Sequence, residues 1–486
     1  MQGMRKTVII IVSVLICCLP VNGRKMPKSK TSNAGVRYLE AAFPVYDGMQ
    51  KKIHSLAELG YMEYESSALL ASHLEENGFR IERGVAGIPT AFIATYGSGS
   101  PVIGILAEYD ALPGMSQDTV AFKKAAVEGG AGHGCGHNLL GTGSVAGAVA
   151  ISKWLAEGHK GTVKLFGCPA EEGGGGKAYM AREGCFDGVD VVLDWHPDIC
   201  NLVNTESGLA NVQMRFTFHG TSSHASSAPE KGRSALDAVE AFNFMMNMMR
   251  EHVPDGTRIH YVITDGGKAP NVVPDRAQVL YYLRNGSREV VADLKDRALK
   301  AAQGAALGTG TEMDYEVVSG NFERLYIESL ASVLQENLEA VGGVKYDERE
   351  MQFAKEMLKA SGIEDVSVLE KPAAVLPLGC DYPTLKGVSS DVGNVTWVAP
   401  TASFRGATFV PAGLGHCWQF TSSGGTTIGT KGVMNVAKVL FFTAYDLYCS
   451  PETVEAVKNE FEIKRGKDFV FIPLIGDRNP PLDYRK

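Results

Sequence analysis

Several things are missing from this chain of 486 residues. It has no basic surplus: 47 lysines and arginines stand against 55 aspartates and glutamates, a formal net charge of -8. That argues against a nucleic-acid partner, which selects for a basic face. It has no apolar run of the about 20 residues that a membrane-spanning helix needs. Cysteine is sparse and irregularly spaced. Of nine cysteines, seven follow residue 23 (Cys135, Cys168, Cys185, Cys200, Cys380, Cys417 and Cys449), an odd number without the spacing of a disulfide framework. A nucleotide-binding fingerprint is also lacking. Gly141, Gly143 and Gly147 open a helical stretch, but their spacing is not GxGxxG and no strand immediately precedes them, which argues against a nucleotide-dependent oxidoreductase and leaves these glycines as its sole support.

What is present begins with a processing signal. Arg5 and Lys6 precede an apolar run from Val8 to Leu19, and Pro20 to Gly23 follow. This order predicts a secretory signal peptide over residues 1–23, an exported periplasmic or secreted protein, and no membrane span after cleavage. Metal binding would shield Cys135 from an oxidising compartment, and the other cysteines are expected to be buried small hydrophobes.

With 45% apolar residues the chain can bury a sizeable core. From residue 34 to 209, glycine-bounded apolar runs (Thr90 to Tyr96, Val102 to Leu106, Val163 to Cys168, Val189 to Trp195) alternate with helical patterns (Tyr64 to Asn77, Gly141 to Leu155). The expectation is an α/β fold, a central mixed sheet with helices on both faces. Residues 210–321 repeat the order β-α-β-β-α-β, which predicts an inserted ferredoxin-like unit. Residues 322–449 return to the first domain, closing with a helix over Lys431 to Tyr448, so the catalytic domain is split. Residues 450–486 read as a tail with little signal. The methionines at 245, 246, 248 and 249 point to packing or an interface.

Chemistry concentrates in five places. Glu108-Tyr-Asp110 ends an apolar run. His133-Gly-Cys-Gly-His-Asn138 places Cys135 and His137 two apart, with glycines that let backbone approach closely. Glu171-Glu172 precedes the glycines 173–176. His196 and His416 each stand at the edge of an apolar or glycine-rich segment. A thiolate, imidazoles and carboxylates on successive loops suit a first-row metal ion. A Glu-Glu pair can divide between ligand and general base. Any one of these has an ordinary explanation (a solvated acidic turn, a satisfied core histidine), but their joint occurrence points to metal-assisted hydrolysis.

With Gly167-Cys-Pro-Ala-Glu-Glu-Gly173, Gly232-Arg-Ser-Ala-Leu-Asp-Ala-Val239, Asn271-Val-Val-Pro274, Ser390-Asp-Val-Gly393 and His416-Cys-Trp-Gln419, these segments resemble the metal-dependent aminoacylase/carboxypeptidase family of amidohydrolases, in its hippurate hydrolase and indole-acetyl-amino-acid hydrolase branch. The resemblance runs from about Val45 to Leu447. It implies that Cys135, His137, Glu172, His196 and His416 hold two divalent metal ions, zinc or alternatively manganese or cobalt. It implies Glu171 as general base and Asp110 as an acid supporting the metal site from behind. Asn271 would lie near the substrate carboxylate, and His224 would reach across a dimer to the other subunit's site, so that the inserted unit serves as lid and dimerisation domain. The activity implied is hydrolysis of an acyl- or aroyl-amino-acid amide of the p-aminobenzoyl-glutamate type, with dipeptides as an alternative. A homodimer is expected, or a heteromer with a related subunit, which leaves open a non-catalytic chain that needs its partner. Two positions depart from the family pattern: Glu108 stands where many members have histidine, and Asn138 where aspartate is common.

Overall fold

The chain builds two separate β-sheets. The computed structural model describes residues 28–382 and 387–485; the expected signal peptide lies outside them. Its strands are β1 (Arg80–Arg83), β2 (Phe92–Ser98), β3 (Val102–Ala107), β4 (Gly161–Gly167), β5 (Val191–Asp198), β6 (Leu202–Val203), β7 (Ala210–His219), β8 (Arg258–Asp265), β9 (Arg276–Asn285), β10 (Glu312–Asn321) and β11 (Thr401–Ala407).

The larger sheet is mixed, in the order β1-β2-β4-β3-β5-β11-β6. Its centre is parallel: β3 pairs with β4 and β5, and β5 with β11, with Trp195 opposite Phe404. Strands covered on both faces read as continuous apolar runs, and every residue of β11 is buried. The helix His137–Leu155 lies on one face, buried everywhere except Lys153. Its glycines permit that depth: a Cβ on Gly143 would stand 2.7 Å from the Trp195 ring, and one on Gly147 3.0 Å from Leu440 of the helix Thr427–Cys449. In such sheets ligands collect beyond the carboxyl ends of the parallel strands. Glu108 to Asp110 follow β3, and Glu171 and Glu172 follow β4. His196 lies inside β5 rather than in a loop, because pairing with β11 continues to Asp198.

The smaller sheet is antiparallel, in the order β10-β7-β9-β8. The helices Ala235–Met249 and Arg288–Thr309 pack on one face around Phe216, Phe242, Tyr281 and Leu294. Met246 is in that core, whereas Met245 and Met248 are exposed beside Phe244. β8 is an edge strand that leaves Tyr261, Val262 and Ile263 exposed.

The end of the chain is more structured than its sequence suggested. A helix covers Pro451–Arg465. The segment beyond it packs Phe469 and Phe471 against the core of the smaller sheet, pairs Arg478 with Glu316 at 2.6 Å, and ends with Tyr484 and Arg485 donating to the Glu172 carbonyl at 3.1 and 2.8 Å. The cysteines depart from expectation too. Cys168 and Cys200 are buried, but Cys185, Cys380 and Cys417 are only half-buried and Cys449 is exposed. Among the described residues no helix is long and apolar enough to cross a membrane.

Candidate metal centre

Cys135 reaches the site because its flanking glycines allow a tight entry into the helix behind it. Gly136 has φ +79, and a Cβ there would lie 2.5 Å from the Phe409 ring. Cys135 Sγ stands 3.3 Å from His196 Nε2. The other nitrogen of His196 lies 2.7 Å from the Pro197 carbonyl and 2.8 Å from Arg405 Nη1. Arg405 can only donate, so the two contacts compete for Nδ1; with the proton on Nδ1 and given to the carbonyl, Nε2 keeps its lone pair toward Cys135. Burial, then Arg405 and His137, hold the His196 pKa well below the usual imidazole range, so the ring is neutral and competent as a ligand.

His137 starts its helix and is fully buried. Its Nδ1 is 2.8 Å from Asp110 Oδ1, which assigns a proton to that nitrogen and leaves Nε2 without a hydrogen-bond partner among the described residues. This is the arrangement in which a carboxylate orients a ligating histidine. Asp110 Oδ2 accepts the Glu172 N–H at 2.9 Å, so one carboxylate fixes both a ring and the acidic loop. Burial works to raise the Asp110 pKa, but His137 and these hydrogen bonds outweigh it and leave it below the ordinary value.

The Glu171-Glu172 loop turns sharply. Ala170 before it has φ +57, and its carbonyl accepts from Gly174 and Gly175 at 3.0 and 2.8 Å. A Cβ on Gly176 would lie 2.1 Å from the Pro169 carbonyl, so the glycine run is a steric requirement. The two glutamates diverge. Glu172 Oε1 faces His416 Nε2 at 3.4 Å, while Glu171 groups with Glu108 and His137. Burial, then Glu108, Glu172 and Asp391, push the Glu171 pKa well above the carboxylate range, as befits a group that accepts a proton. His416 sits at φ +35, half-exposed. Its close polar contacts with Cys135 and Glu172 push its pKa up to about 11.

Three sets of donor atoms can hold a cation: Cys135, His137 and His196; Cys135, Glu172 and His416; and Glu108, His137 and Glu171. Cys135 belongs to the first two. The buried atoms Glu108 Oε2, His137 Nε2 and Glu172 Oε1 have no hydrogen-bond partner among the described residues. Unpaired buried donors and acceptors of this kind fit a cation, and sulfur and imidazole select a transition metal over magnesium or calcium.

Sequence reasoning did not find everything here. Glu108 carried no expected role as a metal ligand, yet its Oε2 lies 3.3 Å from His137 Nε2. Lys177 and Arg405 carried no local signal. Asn271 and His224 are brought beside each other, with Ala225 N donating to the Asn271 carbonyl at 3.1 Å and a bridge joining His224 to Val272. Neither hydrogen-bonds to any of the cluster residues within the chain; His224 Nδ1 instead contacts Ser226 and Ser227.

The fold and this donor set define a metal-dependent hydrolase of amide bonds. The chain belongs to peptidase family M20/M25/M40, whose model matches residues 104–374. It is 37% identical over 449 residues to the B component of p-aminobenzoyl-glutamate hydrolase from Escherichia coli, covering 87% of this chain and 93% of that one. It is 28% identical to Xaa-Arg dipeptidase of Mus musculus, covering 86% and 88% of the two chains. Its fold matches a dinuclear metal-binding M20 peptidase from Bacillus subtilis with a TM-score of 0.54 at 17% identity, over 83% of this chain and 99% of the other.

Proposed function

We propose that this chain is an exported dinuclear amidohydrolase that cleaves the amide between an aroyl group and an amino acid, with p-aminobenzoyl-glutamate as the type substrate. The observation that carries the reading is Cys135 standing in two donor sets at once, one completed by His137 and His196 and the other by Glu172 and His416. The 37% identity to one component of a p-aminobenzoyl-glutamate hydrolase supports the substrate class.

Cys135, His137, Glu172, His196 and His416 would hold two divalent cations, zinc first and manganese or cobalt as alternatives, which would supply polarisation of the amide carbonyl and a lowered pKa of water. The chain's own groups do the rest. Asp110 keeps His137 in one tautomer and, through the Glu172 N–H, keeps Glu172 on the side of His416. Glu171 faces the other way, takes the proton from the attacking water and returns it to the leaving amine. Asn271 binds the substrate carboxylate, and His224 of a second subunit supplies a donor to the developing oxyanion. The exposed Phe244, Met245 and Met248, with the edge strand β8, support a symmetric dimer through the smaller sheet.

The test is turnover of p-aminobenzoyl-glutamate, N-acyl amino acids and dipeptides by the purified chain alone, before and after chelation. Release of p-aminobenzoate that ceases on chelation supports the reading. Preference for dipeptides moves the chain to the second reading, which the Xaa-Arg dipeptidase relationship favours. Turnover only after a related chain is added makes it one half of a heteromer, and undiminished turnover without metal overturns the mechanism.

A further inference from the structure

Lys177 has no role in the reading above, yet it is among the most buried charges in the molecule. Its side chain is 0% exposed. The ammonium contacts Glu108 Oε1 at 2.6 Å and Asp391 Oδ1 at 2.7 Å. Its backbone N–H donates to the second oxygen of Asp391 at 2.9 Å. All three side chains are almost completely excluded from water. Ions of this kind persist only where geometry and hydrogen bonding compensate the loss of hydration, and a paired surface lysine would serve mere stability at less cost.

The arrangement leads into the donor cluster. Lys177 holds one oxygen of Glu108. The other oxygen, Oε2, faces His137 Nε2 at 3.3 Å, and neither atom has a hydrogen-bond partner among the described residues. His137 then passes through Asp110 to the Glu172 N–H. Lys177 also follows directly on the glycine run behind Glu171, at the start of the short helix Gly176–Arg182. One ammonium therefore ties together the end of β3, the acidic loop and Asp391, at the entry to the helix Val392–Thr396.

We propose that Lys177 is a positioning residue for the metal centre: clamped between Asp391 and Glu108, it aims the free oxygen of Glu108 at the ligand atom of His137 and fixes the loop that carries Glu171 and Glu172. The inference rests on His137 being a metal ligand. Its readout is binding of cobalt(II), which does not require that any amide be cleaved.

The experiment compares wild type, Lys177→Met, and the triple variant Glu108→Gln/Lys177→Met/Asp391→Asn, which removes all three buried charges and so leaves none unpaired. Each is loaded with cobalt(II). The absorption bands of the bound ion and its affinity against a competing chelator are measured with circular dichroism and thermal unfolding, and kcat and KM follow with p-aminobenzoyl-glutamate. Support groups around metal ligands are worth about ten- to a hundredfold in affinity. Both variants should lose cobalt affinity by about that factor and show displaced cobalt bands. Small misplacement of reacting groups costs about a hundredfold in rate, so kcat should fall by about that much with KM within about threefold. A folded triple variant with the wild-type cobalt spectrum, affinity and kcat would show that Lys177 only balances buried charge, and overturns the proposal. If wild type cleaves no amide, the functional reading falls, while the cobalt measurements still decide this one.

Discussion

Replacing Glu171 by glutamine separates base from ligand. The two neighbouring glutamates are chemically alike in sequence, but the fold points them apart: Glu172 Oε1 lies 3.4 Å from His416, whereas Glu171 faces Glu108 and His137. Glu171 is also surrounded by acids. Burial, then Glu108, Glu172 and Asp391, raise its affinity for a proton. Glutamine keeps the size and one oxygen but cannot accept that proton. Loss of general acid–base catalysis costs about 10²- to 10⁴-fold in kcat, or about 2.7 to 5.4 kcal/mol at 1.36 kcal/mol per decade. Metal content should stay at the wild-type value, because neither donor set containing Cys135 uses Glu171. Glu172→Gln should behave differently, since an amide oxygen replaces an anionic donor beside Cys135 and His416; metal should be lost along with turnover. The assay pairs p-aminobenzoate release with elemental analysis of the same samples. A Glu171→Gln enzyme within about threefold of wild-type kcat would refute the assignment of the base, and one that has lost metal would make Glu171 a ligand instead.

Cys135→Ser should lower metal content more than any other single ligand change, because Cys135 is the donor common to two sets; elemental analysis showing full loading would refute its shared role. Glu63 is buried, accepts from Ala170 N and Thr90 Oγ1, and has its pKa raised to about 8, first by burial and then by Asp110. A raised carboxyl pKa means the native state holds a proton that the unfolded state releases near 4.5, so stability should fall as pH climbs from about 4.5 through about 8. Glu63→Gln should flatten that fall in thermal unfolding across the same window, and an unchanged slope would refute the cause. For His224, inactive His224→Ala and Glu171→Ala chains, once shown to exchange subunits, should regain about half of one dimer's activity, since each heterodimer has one whole site; heterodimers without recovery would exclude action across the interface.

The sequence showed the sheet-forming segments clearly because apolar runs bounded by glycine have few other uses. β3 began where expected, at Val102. It also offered Cys135, His137, Glu172, His196 and His416 as candidate donors, since a ligand must carry a donor atom, and the fold gathers these five into two sets that share Cys135. Lys177 was invisible because its significance lies in its burial against Glu108 and Asp391, and each of those partners is more than 60 residues away in the chain. β11 was missed for a related reason. Thr401–Ala407 includes serine, threonine, arginine and glycine, and it is buried only because β5 and β6 flank it. The segment after Arg465 has no periodicity, so nothing local predicts that Tyr484 and Arg485 end against the Glu172 carbonyl.

The charges around the centre also dictate how a metal must enter. The carboxyl groups of Glu108, Asp110, Glu171, Glu172 and Asp391 crowd together beside Cys135, and Lys177 is shared between only two of them. Without a cation, protons answer that demand. His137 stays charged against the cost of burial, through Cys135 and Asp110, with a pKa well above the usual imidazole value. His416 is held up to about 11 by Cys135 and Glu172. Both histidines are therefore protonated near neutral pH in the metal-free protein, and a ligating nitrogen must give its proton up. Metal uptake should release protons, and affinity should strengthen as pH rises through the neutral range. Calorimetric titration of zinc or cobalt into metal-free protein, in buffers of different ionisation enthalpy at one pH, measures that release directly. The apparent enthalpy should vary linearly with the buffer's, with a slope equal to the protons released. His416→Gln should lower the slope, because glutamine has no proton to surrender. A slope of zero for the wild type would mean that the histidines are neutral before metal arrives, and that the anionic cluster is balanced by some other group.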